Sequence, residues 1–382
     1  MEIGEAVAVP EASTGPTESS IHAGLLLKSV TFSSNHVVER DTKGNFSPPE
    51  WSRGRSRQWP VCYTRHTTVK LKAHFIVVTS PTATENVTVK GRSEFEDGPT
   101  LEWTGSVSVS PGDTEVATEV LSSNDVLPNH VARFERFSIQ WEAQAPGEPS
   151  ESAGTSRNVL YLTLKDPSGT PPYWTLLDIS CRGAHGAMDE AHLVKNAFYP
   201  FTTRTLRRKR DSQRLTYWNP ETTTATNTME LLAQGDGSGQ CGSWSELLID
   251  AYKAHGVTSA VKVLVVRSIP EWQASRAGFL VKNWRFVGAG SMPPPLTHIM
   301  YTECTKEPGI PGQSNPNPPP AFYNHFIVSC LGDFYDPSYG GGPVTDQLTW
   351  ENGAIDGIFS GGRAGYPKSS NAAIELLKFY RI

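Results

Sequence analysis

Cys241, His325 and Asp336 are the residues of this sequence whose types, order and spacing could carry out chemistry together. A thiolate is a nucleophile, a histidine can take and return its proton, and a carboxylate can fix the tautomer and direction of the imidazole. Cys241 stands in residues 235–267, GDGSGQCGSWSELLIDAYKAHGVTSAVKVLVVR. Trp244, Leu247, Leu248, Ala251 and Tyr252 recur at helical spacing, so an amphipathic helix of about three turns is expected. Gly256 stands where a terminating glycine belongs. Ser243 and Glu246 have capping-box spacing, which puts the helix start at Ser243 or slightly earlier. Cys241 then lies in or just before the first turn, where unpaired N–H groups and the local dipole favour a thiolate. Glycines 235, 237, 239 and 242 let a substrate approach the sulfur and let backbone donors face a developing oxyanion.

His325 and Asp336 belong to residues 323–339, YNHFIVSCLGDFYDPSY. Alternation around His325 predicts a strand, 331–333 a tight turn, and 334–336 the returning strand. A short hairpin of this kind brings imidazole and carboxylate together on neighbouring strands. For a second oxyanion donor the candidates are Gln240, beside the nucleophile, and Trp218, an aromatic N–H donor upstream in LTYWN.

The elements that must position these residues fall into two groups. From about 23 to 165 the pattern has period two. Val69, Leu71, Ala73, Phe75 and Val77 share one face, as do Phe137, Ile139, Trp141 and Ala143. Further runs at 24–32, 86–95, 101–110, 115–121 and 158–164 are separated by turn clusters, the sequence form of an antiparallel β-sandwich of the immunoglobulin-like kind. A Pro/Gly-rich boundary near 165–173 precedes a helical pattern at 188–199 and a basic run at 204–214, read as a solvated loop rather than a site for an acidic partner, localisation or processing. Strands are expected at 261–266, 298–303 and 322–330, and a helix at 371–380. Long Pro/Gly loops, including 292–295 and 307–320, are expected to roof the cleft. His255 is placed at a helix C-terminus, where its charge would suit the dipole. Cys304 and Cys330, on adjacent strand candidates, are expected to pair or simply pack.

Residues Gly239, Gln240 and Cys241, the helix after them, the HGV and VKVLVV continuation, and NHF with FYDPSYG resemble the transglutaminase-like superfamily of papain-related cysteine enzymes. The resemblance covers residues 235–339 and implies Cys241 as nucleophile, His325 as general base and acid, and Asp336 as its orienting group. It implies an α+β domain with an antiparallel sheet over 166–382, preceded by the sandwich at 23–165 and a tail at 1–22. Gly242 departs from the family, whose cross-linking members usually carry tryptophan there. The 84 residues from Cys241 to His325 also exceed the spacing of compact members.

Composition narrows the field. The chain has 382 residues, a net charge of −5 and 19% charged residues, which gives no overall pull towards nucleic acid or anionic lipid. Glycine (33) and proline (29) make up about one residue in six against roughly one in eight ordinarily, as a loop-rich, strand-rich soluble protein requires. No apolar run is long enough for a membrane span, and residues 1–20 lack the basic and apolar regions of a secretory signal peptide. Five cysteines without a C-x-x-C pair support neither a disulfide framework nor a zinc site, and no cofactor or metal is expected. The expected activity is acyl transfer at peptide or glutamine amides through a cysteine thioester, with a protein or peptide as substrate and the sandwich as a docking module. A non-enzymatic scaffold and a peptidoglycan amidase are the alternatives.

Overall fold

The computed structural model describes residues 21–96, 98–169, 171–219, 225–267, 278–281, 299–300, 310–316, 318, 321–360, 363–367 and 377–382. It is a β-rich molecule of several sheets with few helices. The first ten strands are β1 (Gly24–Ser33), β2 (Trp51–Ser52), β3 (Val61–Thr64), β4 (Thr68–Thr79), β5 (Glu85–Glu94), β6 (Thr100–Val109), β7 (Glu115–Ala117), β8 (Leu121–Val126), β9 (Ala132–Gln144) and β10 (Glu151–Thr163). They form two sheets, β2-β1-β4-β7 with β8 also on β4, and β3-β10-β9-β5-β6. Alternation explains how these enclose one core. Val69, Leu71, Ala73 and Phe75 of β4 are buried, as are Phe137, Ile139, Trp141 and Ala143 of β9, while intervening residues face outward. Each of the valine, leucine, isoleucine and phenylalanine side chains contributes about 1.5–3 kcal/mol by leaving water.

Two features depart from a purely antiparallel arrangement of the expected runs. β10 pairs with β3 in parallel, Leu160 opposite Val61 and Thr163 opposite Thr64. No hairpin joins these two strands, so no turn dictates their relative direction. The run at 115–121 is broken into β7 and β8, because the Thr118 hydroxyl stands in for a backbone acceptor and takes the Ala73 N–H at 3.1 Å.

Among the described residues, five helices follow or interrupt the remaining strands: α1 (Trp174–Gly183), α2 (Glu190–Thr202), α3 (Thr228–Ala233), α4 (Cys241–Lys253) and α5 (Gln347–Ala354). No helix among the described residues is long and apolar enough to cross a membrane. Strands β11 (Thr216–Tyr217) and β12 (Ser238–Gly239) form a small parallel pair. Strands β13 (Val261–Arg267), β14 (Gly278–Val281), β15 (Ile299–Met300), β16 (Ala321–Phe322), β17 (Asn324–Cys330), β18 (Asp333–Asp336), β19 (Gly341–Val344), β20 (Ile355–Ser360), β21 (Arg363–Pro367) and β22 (Leu377–Arg381) make two further sheets. Their orders are β19-β18-β17-β13-β22 and β15-β21-β20-β14-β16, and every pairing in both that is described is antiparallel.

The C-terminal helix expected at 371–380 is corrected where it can be seen. Residues 377–381 are strand β22, pairing with β13 from Val263–Arg381 to Arg267–Leu377. The free edge of β13 overrides the local helical preference of this segment, as tertiary pairing commonly does; residues 371–376 lie outside the described ones. Of the strand expected at 298–303, only Ile299–Met300 is described, and Cys304 lies outside.

Around α1, both groups of elements share a core. Val38, Cys62, Val131, Tyr161 and Leu164 join the apolar cluster built by the helices. Asp178 accepts a hydrogen bond from Tyr161 at 3.0 Å and pairs with Arg133 at 2.9 Å and Lys209 at 3.0 Å. His255 belongs to this junction and corrects the expectation of a charged cap. It is fully buried, its Nε2 is 2.9 Å from Ser180 Oγ, and its Nδ1 accepts the Leu164 N–H at 3.3 Å. Burial pushes its pKa down to about 3, so it is a neutral core histidine.

Candidate active site

Cys241 is the first residue of α4, with Gln240 at the N-cap, so the helix begins two residues before Ser243. The capping-box reading fails because Ser243 sits inside the first turn and donates to the Gln240 carbonyl at 2.8 Å. Its supposed partner Glu246 instead pairs with Lys262 at 2.6 Å. Trp244, Leu247, Leu248, Ala251 and Tyr252 are wholly buried and seat the helix against the core. The approach to the cysteine is fixed by backbone pairing: Tyr217 lies in parallel register with Gly239, Trp218 N–H donates to Gly239 O at 2.9 Å, and Gln240 N–H to Ala225 O at 2.9 Å. Gly239 admits no side chain, since a Cβ there would stand 2.3 Å from Ser243 Oγ and 2.9 Å from Leu231. At Gly242 a Cβ would press lightly on the Thr226 carbonyl at 3.3 Å, so the position after Cys241 is tight for a side chain.

His325 is on β17 and Asp336 on β18, joined by a two-residue turn with Leu331 at φ +51° and Gly332 at φ +93°. Both positive angles suit the right-handed twist of the hairpin. The register pairs Val328 with Tyr335; continued by one residue it sets Asp336 opposite Ile327, making His325 its diagonal neighbour on the same face. His325 Nε2 is 3.0 Å from Asp336 Oδ2. The other carboxylate oxygen accepts the N–H groups of Ser338 (3.2 Å) and Tyr339 (3.3 Å), which lock its direction. Nδ1 has no well-aligned partner among the described residues, although the ring interacts with the Cys241 side chain.

The imidazole is 2% exposed and Cys241 6%. Trp350 of α5 stacks on the imidazole at 6.1 Å and 15°, and Phe322 and Tyr339 each stand 5.8 Å away. Burial disfavours charge on His325, but the Asp336 carboxylate, by charge and hydrogen bond, and then the Cys241 sulfur outweigh it and push its pKa up to about 10. A cavity of about 180 Å³ adjoins this pair, with His325 and Asp336 on one side and Phe322, Val344, Trp350 and Ile355 among its apolar walls.

Of the two suggested oxyanion donors, Gln240 is half-buried and caps the helix through its backbone, while Trp218 is half-buried, left-handed at φ +50°, and packs edge-on to Phe322 at 6.3 Å. The residue wholly buried here is its neighbour Tyr217. Several positioning residues carried no readable signal. Gln313, within the loop expected to roof the cleft, is instead a buried strut: its side-chain amide donates to Phe201 O at 2.7 Å and Pro337 O at 2.8 Å. The basic run is likewise more than a solvated loop. The Arg208 side chain is 1% exposed and donates to the carbonyls of Leu232, Gln234 and Gly235 while pairing with Asp211 at 2.9 Å. It thereby holds the chain that leads into Cys241.

Cys62, Cys181, Cys241 and Cys330 are free, buried thiols. Burial raises the pKa of Cys62, Cys181 and Cys330 and so suppresses their thiolates. The chain matches no protein-family model, and a search of curated proteins finds no relative.

Proposed function

We propose that this chain is a cysteine-dependent acyl-transfer enzyme acting on peptide or glutamine amides, built as an immunoglobulin-like sandwich ahead of a transglutaminase-like domain. The observation that carries the reading is the buried His325–Asp336 pair, 3.0 Å apart, beside a thiol at the first residue of a helix. Other features of the site fit it. Nε2 is held by the carboxylate, which leaves Nδ1 for the thiol proton. The raised basicity of His325 favours an imidazolium beside Cys241.

In the reaction, Cys241 sulfur adds to the amide carbon, and the tetrahedral intermediate collapses as the His325 imidazolium protonates the leaving nitrogen. The resulting thioester passes its acyl group to water or to an amine, with His325 taking the proton of that acceptor. Gly242 in place of tryptophan favours hydrolysis. The apolar cavity beside His325 suits an apolar side chain of the substrate.

Two measurements test this. Iodoacetamide near neutral pH should label Cys241 ahead of Cys62, Cys181 and Cys330, and His325→Ala should abolish the preference. Mass spectrometry of proteins incubated with wild type and Cys241→Ala should reveal cleavage, deamidation or amine incorporation by wild type alone. Equal labelling of all thiols, together with no product, would return the chain to a scaffold.

A further inference from the structure

An acyl transfer at Cys241 needs a donor for the oxyanion besides the backbone at the helix start, and Tyr217 has the placement for it. Tyr217 ends β11 in register with Gly239, two residues before the nucleophile. Its side chain is wholly buried, with its ring 5.1 Å from that of Tyr339, which in turn stands 5.8 Å from the His325 imidazole. Buried phenol hydroxyls normally hold a hydrogen-bond partner. The Tyr217 hydroxyl has no well-aligned partner among the described residues, its one neighbouring hydroxyl interaction being with Tyr339.

We propose that the Tyr217 hydroxyl donates a hydrogen bond to the substrate oxygen while Cys241 adds to the carbonyl carbon. The inference rests on Cys241 being the nucleophile. As the carbon–sulfur bond forms, the carbonyl π pair moves to oxygen, and Tyr217 stabilises that charge while keeping its proton. The pair then returns, the carbon–nitrogen bond breaks, and the nitrogen leaves with the proton of His325.

The phenol is held ready for this role. Tyr217 N–H donates to Gln313 O at 2.8 Å, and its carbonyl accepts from Asn315 Nδ2 at 2.9 Å. Gly312 lies flat against the ring, where a Cβ would meet Cδ1 at 2.6 Å. Burial first, then the charges of Tyr339, Cys241 and Asp336 and a hydrogen bond to Tyr339, keep the phenol well above its ordinary pKa, so it remains a donor at working pH. Donors fixed before the reaction need no reorganisation when charge develops.

Two thiol reagents separate this role from packing. p-Nitrophenyl acetate reacts through a tetrahedral oxyanion, whereas iodoacetamide alkylates sulfur by displacement with no oxyanion. In the full chain, Tyr217→Phe should slow acylation of Cys241 by about 10²-fold and leave its alkylation rate within about twofold. Tyr199→Phe, at an exposed phenol away from the site, should leave both unchanged. If Tyr217→Phe does not fold, 2,3-difluorotyrosine at position 217, which keeps the ring and alters donor strength, should change acylation but not alkylation. Equal effects on both reagents, no effect on either, or a selective loss in Tyr339→Phe instead would overturn the assignment. A wild-type Cys241 inert to both reagents would remove the nucleophile itself, a result distinct from any of these.

Discussion

His325 Nε2 and Asp336 Oδ2 meet at 3.0 Å on neighbouring strands, in a pocket that excludes water from both side chains. An ion pair so enclosed is held together by the carboxylate's other contacts, the N–H groups of Ser338 and Tyr339. It therefore ties the chemistry of the site to the stability of the hairpin that bears it.

The first expectation concerns pH. His325 titrates at about 10, above its ordinary value of 6.5, so the stability it contributes is complete below 6.5 and is lost as pH rises through 10. Urea unfolding at pH 6 and pH 10 should show wild type losing more stability with rising pH than His325→Ala. Acyl transfer from an amide with a poor leaving amine should fall only near pH 10, where the imidazolium that protonates the leaving nitrogen is lost.

Asp336→Asn keeps the shape of the side chain but removes the charge that orients and supports the imidazolium. Acyl transfer should drop by about 10²–10⁴-fold, with the upper limb of the pH profile moved below 10. A profile unmoved by the substitution would assign Asp336 to packing alone.

Arg208→Ala should cost about 1–3 kcal/mol in urea unfolding, because it strands the buried Leu232 O and takes a donor from the half-buried Gln234 O and the exposed Gly235 O. Arg208→Lys should recover less than half of this, since an ammonium cannot reproduce the planar fork. Slower alkylation of Cys241 should accompany the loss.

Leu331 is 48% exposed and left-handed at φ +51°, a conformation that penalises a leucine and favours asparagine. Leu331→Asn should raise stability by about 0.5–1 kcal/mol and leave Cys241 reactivity unchanged. Calorimetry and iodoacetamide labelling check the two halves.

Gly353 lines the cavity, and a Cβ there would meet nothing within 4 Å. Gly353→Leu should fill part of that space and lower kcat/KM for substrates with large apolar side chains by about 10-fold or more relative to alanine. Profiling wild type and variant against a peptide library reads this directly.

The period-two faces of 66–78 and 137–143 and the helical stripe of Trp244 to Tyr252 were legible because each faces one core, and the spacing of apolar residues records that. The hairpin from His325 to Asp336 was legible for the same reason, its turn lying at a leucine–glycine pair between alternating strands. Less visible were residues whose partners lie far along the chain. Gln313, Arg208 and Trp350 act on Phe201 and Pro337, on 232–235, and on His325, and polar or aromatic residues in loops look alike whether buried or exposed. His255 read as a charged cap for the same reason, since only the packing of Ser180 and Leu164 against it makes it neutral.

Residue types and local periodicity thus determined a β-rich chain with a thiol at a helix start and a histidine and an aspartate on one hairpin, because these depend on neighbours within a few positions. Tertiary structure decided the rest: which side of LTYWN turns inward, the parallel pairing of β3 with β10, the strand at 377–381, and the approach of Asp336 and Cys241 that keeps His325 basic in spite of its burial. Those outcomes depend on contacts between segments distant in the chain, whose energies no local pattern records.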